Sequence, residues 1–176
     1  MTGQEPPTPI DDGAANATAQ PSDERAFRAC MGRFTTGVAV ATTMADGAPV
    51  AVTVNSLTSV SLSPPMLLFC LDRTARSLPA FRRSGFFAIS ILALGQQELS
   101  TRFASGGKQW DDIPVTFWRT GAPILSESLA ALECRLDAVY PGGDHEILVG
   151  AVERCCVLNW QPALLYHGGQ YAELPE

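Results

Sequence analysis

Three groups of side chains in this sequence have the types to act on a small ligand. The first is the run TVNSLTSVSLSPP at 53–65, where Thr53, Asn55, Ser56, Thr58, Ser59 and Ser61 supply hydroxyls and an amide. Such groups donate to phosphate and carbonyl oxygens, and backbone N–H groups at the end of a strand can do the same. The second begins at CLDRTARS and gathers Arg73, Arg76, Arg82 and Arg83 with Ser77. Cations at the start of a helix favour an anion such as a phosphate. The third is His145 in GGDHEI, at a turn leading into a strand. A histidine there can contact a dinucleotide or pass a proton. Each group also has a plainer reading. The first is an edge strand running into a polar loop. The second is a solvated helix face, which suits Arg82 and Arg83 better than Arg73 and Ser77. The third is an exposed turn residue. Residue type and spacing leave these alternatives open.

Composition narrows the classes of partner. The 176 residues carry a net charge of -6, with 46% hydrophobic and 17% charged side chains. No Lys/Arg run tracks a nucleic-acid backbone, so that partner class is set aside. In an acidic chain an anionic ligand must be met by local cations or backbone N–H groups. The five cysteines (Cys30, Cys70, Cys134, Cys155 and Cys156) form no CxxC pair, and there are two histidines. A metal site is therefore not expected, and a reduced, cytoplasmic chain is. The N-terminus shows no basic-then-apolar leader pattern, and no apolar run approaches roughly 18 residues, so no membrane association is expected. No GxSxG elbow, P-loop or strand-borne GxGxxG is present, which argues against hydrolase, nucleoside-triphosphate and Rossmann chemistry.

The elements that must hold these groups can be read in order. Residues 1–22 are rich in Pro, Ala, Thr and acids and are expected to form a disordered tail, leaving 23–176 as one domain. Ser22 or Asp23 suits a helix N-cap. Phe27, Cys30, Met31 and Phe34 then recur at i, i+3, i+4 and i+7, one apolar helix face that Gly37 ends. Strands at 38–43 and 49–55 flank the turn Ala45-Asp46-Gly47 as a hairpin. Next come a buried strand at 66–71, a helix at 74–83, a strand at 86–92 and a helix at 96–104 closed by Gly106 and Gly107. The segment from Lys108 to Pro123 reads as a packed loop or edge. Two long strands at 129–140 and 147–158 flank a Pro-Gly-Gly-Asp turn, and a short hairpin over Gly168 and Gly169 ends the chain. Strands mostly follow strands, so the pattern predicts a mainly β, closed antiparallel barrel with helices at its rim.

A resemblance sharpens this. FRACMGRFTTGVAVATT (27–43), TVNSLTSVSLSPPMLLFCLDRTARS (53–77), FFAISILALGQQELSTRFAS (86–105), GAPILSESLAALECRL (121–136), GDHEILVGAVE (143–153) and PALLYHGGQY (162–171) stand in family order. With them the chain resembles the short-chain flavin reductases, small NAD(P)H:flavin oxidoreductases that serve two-component monooxygenases. The match covers nearly everything from residue 23 onward. It implies a split β-barrel with peripheral helices, working as a homodimer with flavin near the subunit interface. It implies that Thr53, Val54, Asn55 and Ser56 line the flavin, and that Ser59, Cys70 and Leu71 lie near its ring or ribityl chain. Arg73 and Ser77 would meet its phosphate. Phe103 and Ala104 match a further flavin contact, and His145 and Tyr171 match positions on the nicotinamide side. The implied reaction is hydride transfer from NADH, with NADPH as the alternative donor, to FMN or FAD, with delivery to a monooxygenase partner. The loop at 108–118 follows the family pattern loosely. Two other readings stand beside this one. One is a flavin-binding split barrel without NAD(P)H turnover. The other is a pyridoxamine-phosphate-oxidase-like enzyme, which ranks lower because no second dense basic set is present.

Overall fold

The computed structural model describes residues 23–105 and 110–173. The tail expected at 1–22, Ser22 as a cap, the closure by Gly106 and Gly107, and Lys108 lie outside the described residues. In chain order the elements are α1 (Glu24–Met31), β1 (Thr36–Gly37), β2 (Ala39–Ala45), β3 (Ala48–Val54), β4 (Thr58–Leu62), β5 (Pro65–Asp72), α2 (Leu78–Ser84) and β6 (Phe86–Ile91). A 3-10 turn (Leu94–Gln96) then leads into α3 (Gln97–Ala104), β7 (Val115–Phe117), β8 (Pro123–Leu125), β9 (Ala130–Gly142), β10 (His145–Val157), β11 (Leu165–His167) and β12 (Gln170–Ala172).

Seven strands form one antiparallel sheet in the order β3-β2-β6-β9-β10-β5-β4. The sheet does not close: β3 and β4 are its two edges, so the fold is a split barrel and not the closed cylinder that strand-after-strand order suggested. The reason lies in the connection at 55–57. Consecutive strands β3 and β4 sit at opposite edges, so this short polar segment crosses the split instead of turning back as a hairpin. Ser- and Thr-rich Thr58–Leu62, readable as polar loop, is an edge strand that pairs with β5 across a bulge between Ser59 and Ser61.

The main core lies inside the sheet. Phe69 of β5, Phe81 of α2 and Phe87 of β6 are fully buried and meet edge to face, with ring centroids 5.2 to 6.4 Å apart. Gly150 of β10 is required here, because a Cβ at that position would run into the tip of the Phe87 ring and crowd Cys134 Cβ at 3.2 Å. Phe87 is held by the other two rings and cannot swing away. Gly150→Ala is therefore expected to lower stability by about 1–3 kcal/mol through overpacking, read as a drop in the thermal midpoint. A midpoint equal to wild type would show that the cluster repacks freely. Burial, helped by the charge of Glu133, pushes the neighbouring Cys134 thiol up to about 12, so this cysteine is a core side chain without thiolate reactivity.

Helix positions follow local chemistry. The Asp23 carboxylate caps α1 by accepting from Ala26 N at 2.7 Å. The helix stops at Met31, capped by Gly32, so Phe34 of the expected face falls in the turn beyond it, and among the described residues Phe27 stays 59% and Phe34 68% exposed. The α2 helix starts four residues later than the sequence suggested. The Asp72 carboxylate accepts from both Thr74 N and Thr74 Oγ1 at 2.6 Å, and Ala75 N bonds to Asp72 O at 2.9 Å. These bonds fold 72–75 into a turn, and Pro79 then starts the helix. Gly85, at φ 71, ends it. No helix among the described residues is long and apolar enough to cross a membrane.

Candidate functional site

The site grows from the segment that crosses the split. Ser56 Oγ accepts from the backbone N–H of Cys70 at 2.9 Å, which pins the crossing to the middle of β5. Strands β5 and β10 pair there, with Cys70 opposite Ile147 and Asp72 opposite His145. Alternation then sorts the faces. Leu67, Phe69 and Leu71 of β5, with Glu146 and Leu148 of β10, point into the core, while Cys70, Asp72, His145 and Ile147 share the outer face. One pleated surface thus carries the Ser56 contact at one end and His145 at the other.

The histidine is oriented by its neighbour. His145 Nδ1 lies 2.7 Å from Asp144 Oδ1, so the ring is fixed and Nε2 is the nitrogen left for a ligand. The Asp144 carboxyl is held below the usual carboxylate range, first by the hydrogen bond with His145 and then by its charge. Thr74 hydrogen bonds lower Asp72 in the same direction. A lowered carboxyl contributes stability that is present above its unfolded pKa and is lost only as the pH falls through the lowered folded value. Both carboxylates therefore stay ionised beside His145 across neutral and mildly acid pH. Asp144 also receives the backbone N–H of Arg73 on its carbonyl oxygen at 3.0 Å, tying the start of the basic stretch to the GDH turn. The Arg73 side chain is exposed, and the Ser77 hydroxyl makes no capping bond to α2. Both are available to an anion.

A second set gathers at α3. Thr53 Oγ1 donates to Ser100 O at 2.6 Å, and the buried Ser100 Oγ shares a hydrogen bond with Tyr171 Oη at 2.9 Å. Thr53 and Tyr171, singled out separately, meet through a serine that no sequence signal marked. The Phe103 ring is buried against Trp110, with centroids 4.9 Å apart, so the end of α3 offers exposed Ala104 and backbone to the outside. Val54 and Leu71 likewise turn their side chains into the core and have backbone to offer. Asn55 and Ser59 are exposed.

Asn55, Ser56, Leu57 and Thr58 line one side of a groove of about 740 Å³, and Phe27 and Met31 of α1, with Phe34 in the turn that follows it, contribute to the other. Its volume is within the range of small-molecule sites, roughly 300–1,000 Å³. The exposed Asn55 amide and backbone of the crossing beside an apolar wall suit a flat ligand, and with the exposed Arg73 and uncapped Ser77 on the β5 side the residues fit a flavin with its phosphate tail. Sequence reasoning passed over Asp144, whose signal was its place next to the histidine. It also passed over Asp72 and Ser100, which only the register and the α3 packing bring in.

Comparison with known proteins agrees with this chemistry. The flavin reductase like domain family matches residues 31–175. The reductase subunit HsaB of a flavin-dependent monooxygenase from Rhodococcus jostii (strain RHA1) is 40% identical over 166 residues, 91% of this chain and 82% of that protein. The FMN reductase (NADH) SmoA from Agrobacterium fabrum is 39% identical over 149 residues, 85% of each chain. Among solved structures, the NADH:FAD oxidoreductase SgcE6 of Streptomyces globisporus C-1027, in complex with NAD and FAD fragments, aligns with a TM-score of 0.83 at 33% identity. That alignment covers 89% of this chain and 98% of the other.

Proposed function

The chain belongs to the flavin reductase like domain family, and from that membership we infer that it is an NAD(P)H:flavin oxidoreductase acting on FMN or FAD. The observation that carries this reading to the residues is the outer face of β5 and β10. There the crossing segment, the start of the basic stretch and the oriented histidine are joined by the Ser56–Cys70 and Arg73–Asp144 hydrogen bonds.

When bound, flavin supplies the ring that accepts the hydride given up by the nicotinamide. The work of the chain is to bind both partners and hold them in line. Thr53, Val54, Asn55 and Ser56 bed the ring, largely through backbone, and N–H groups at the crossing favour negative charge on it. Ser59, Cys70 and Leu71 would lie near the ring or ribityl chain, and Phe103 and Ala104 would supply a further flavin contact. Arg73 and Ser77 hold the phosphate. His145, steadied by Asp144, positions the nicotinamide and can hold a proton, and Tyr171 closes the same side. The exposed donors suit a flavin that enters and leaves, as delivery to a monooxygenase requires. NADH is the preferred donor, in keeping with the names of SmoA and SgcE6.

The protein works as a homodimer, supported by the apolar Phe27, Met31 and Phe34 beside the groove, which are exposed among the described residues. Light scattering at twice the chain mass agrees with that, and a monomer contradicts it. The cytoplasm is its compartment, supported by five free cysteines. The activity is tested by NADH and NADPH oxidation with FMN, with FAD and without flavin. Oxidation that depends on added flavin is expected. Flavin binding without oxidation of either nicotinamide would replace the reductase with a binding module of the same fold.

A further inference from the structure

Arg82 belongs to the basic stretch and reads in sequence as part of a solvated helix face, yet it is the best-committed cation there. Its Nε donates to Glu146 Oε2 at 2.9 Å and its Nη2 to Glu146 Oε1, a two-point fork. Glu146 is 8% exposed and follows His145 directly on β10, so its carboxylate points inward while the imidazole points outward. Arg82 lies in the last turn of α2, the helix whose N-cap is Ser77. The GDHE segment is thus fastened to the stretch from Arg73 to Ser84 at two places. One is the Arg73 N–H on Asp144 O at 3.0 Å, and the other is this fork.

Resting on the reductase reading above, we propose that Arg82 and Glu146 are positioning residues that fix the distance between the phosphate end of the site, Arg73 and Ser77, and the nicotinamide end, His145. Neither touches a ligand. The fork is planar and directional, so it ties the last turn of α2 to the Glu146 position of β10 in one geometry, which an apolar contact of equal strength would not. Each half of the site keeps its own binding groups if the fork is lost. What changes is the alignment between the halves, and hydride transfer is sensitive to displacements of about 1 Å. The effect therefore falls on kcat and leaves the two binding steps in place.

The test is the double variant Arg82→Met/Glu146→Leu, because removing both partners leaves no uncompensated charge at the nearly buried Glu146 position, whereas removing Arg82 alone would. Its thermal midpoint, its flavin affinity by fluorescence quenching, and its kcat and KM for NADH are compared with wild type. The expected result is a kcat about tenfold lower at an unchanged thermal midpoint, with flavin affinity and NADH KM unchanged. Arg82→Lys, which keeps the charge and loses the fork, is expected to fall between the two. A double variant with wild-type kcat overturns the positioning role. So does one in which flavin affinity drops while kcat holds. Wild-type turnover in the same assay reports on the reductase reading separately: absent flavin-dependent turnover by wild type sinks that reading itself.

Discussion

Replacing His145 with alanine is expected to lower kcat/KM for NADH about 100-fold and to leave FMN and FAD affinity unchanged. The structure gives reasons for both halves. His145 stands on the outer face of β10 opposite Asp72, with its ring set by Asp144 at 2.7 Å. Its hydrogen bond goes to Asp144, and neither the crossing segment nor Ser77 is bonded to it in a way that would couple it to flavin binding. Loss of an orienting group costs transition-state alignment more than ground-state affinity. Asp144→Ala frees the ring without removing it, and a smaller loss of the same kind is expected. The measurement pairs steady-state NADH kinetics with flavin fluorescence quenching on the same protein. Equal losses in turnover and flavin affinity would move His145 to the flavin and away from the nicotinamide.

Replacing Arg73 with alanine is expected to act on the other ligand. A charge-assisted hydrogen bond to phosphate is worth about 1.5–3 kcal/mol, which corresponds to roughly a 10- to 100-fold weaker affinity for FMN. The loop should survive the change, because the Arg73 backbone N–H, and not its side chain, bonds to Asp144. Riboflavin, which lacks the phosphate, separates the phosphate contact from any general damage. Its affinity should be the same for wild type and variant. A matching loss for riboflavin would show that the side chain acts elsewhere, and no loss for FMN would remove Arg73 from the site.

Much of the fold was legible because its signals are local. The turns at Asp46-Gly47, Gly143-Asp144 and Gly168-Gly169 mark three of the hairpins, and the long strands β9 and β10 lie within two residues of the expected limits. What escaped depends on contacts far apart in sequence. Thr58–Leu62 carries loop-like hydroxyls and is a strand because β5 offers it an edge. The apolar face of α1 follows a clear helical period, but a period says that a face is apolar and not what covers it. Strand order alone suggests a closed barrel, because it does not reveal that β3 and β4 lie at opposite edges, whereas the split barrel that the family resemblance implies is the one observed.

The site divides in the same way. The polar run, the basic stretch and the histidine are visible as three separate groups, and the family resemblance implies flavin for the first two and the nicotinamide for the third. Their joining was not visible, because it runs through Ser56 to Cys70, Arg73 to Asp144 and Arg82 to Glu146. Arg82 is an exposed, ion-paired helix-face cation, as its spacing suggests, and what spacing does not show is that its partner carboxylate is nearly buried. Val54, Leu71 and Phe103 face the core, so any part they take in binding is through backbone.

The central claim is that this chain passes a hydride from a nicotinamide to flavin, and does more than hold the flavin. The most direct measurement is anaerobic mixing of NADH with excess FMN or FAD and a catalytic amount of the protein, following loss of the yellow flavin absorbance. Mole-for-mole bleaching of flavin against NADH, many turnovers per protein, is the result expected. Yellow colour that persists with NADH and with NADPH as long as it does without the protein would contradict it.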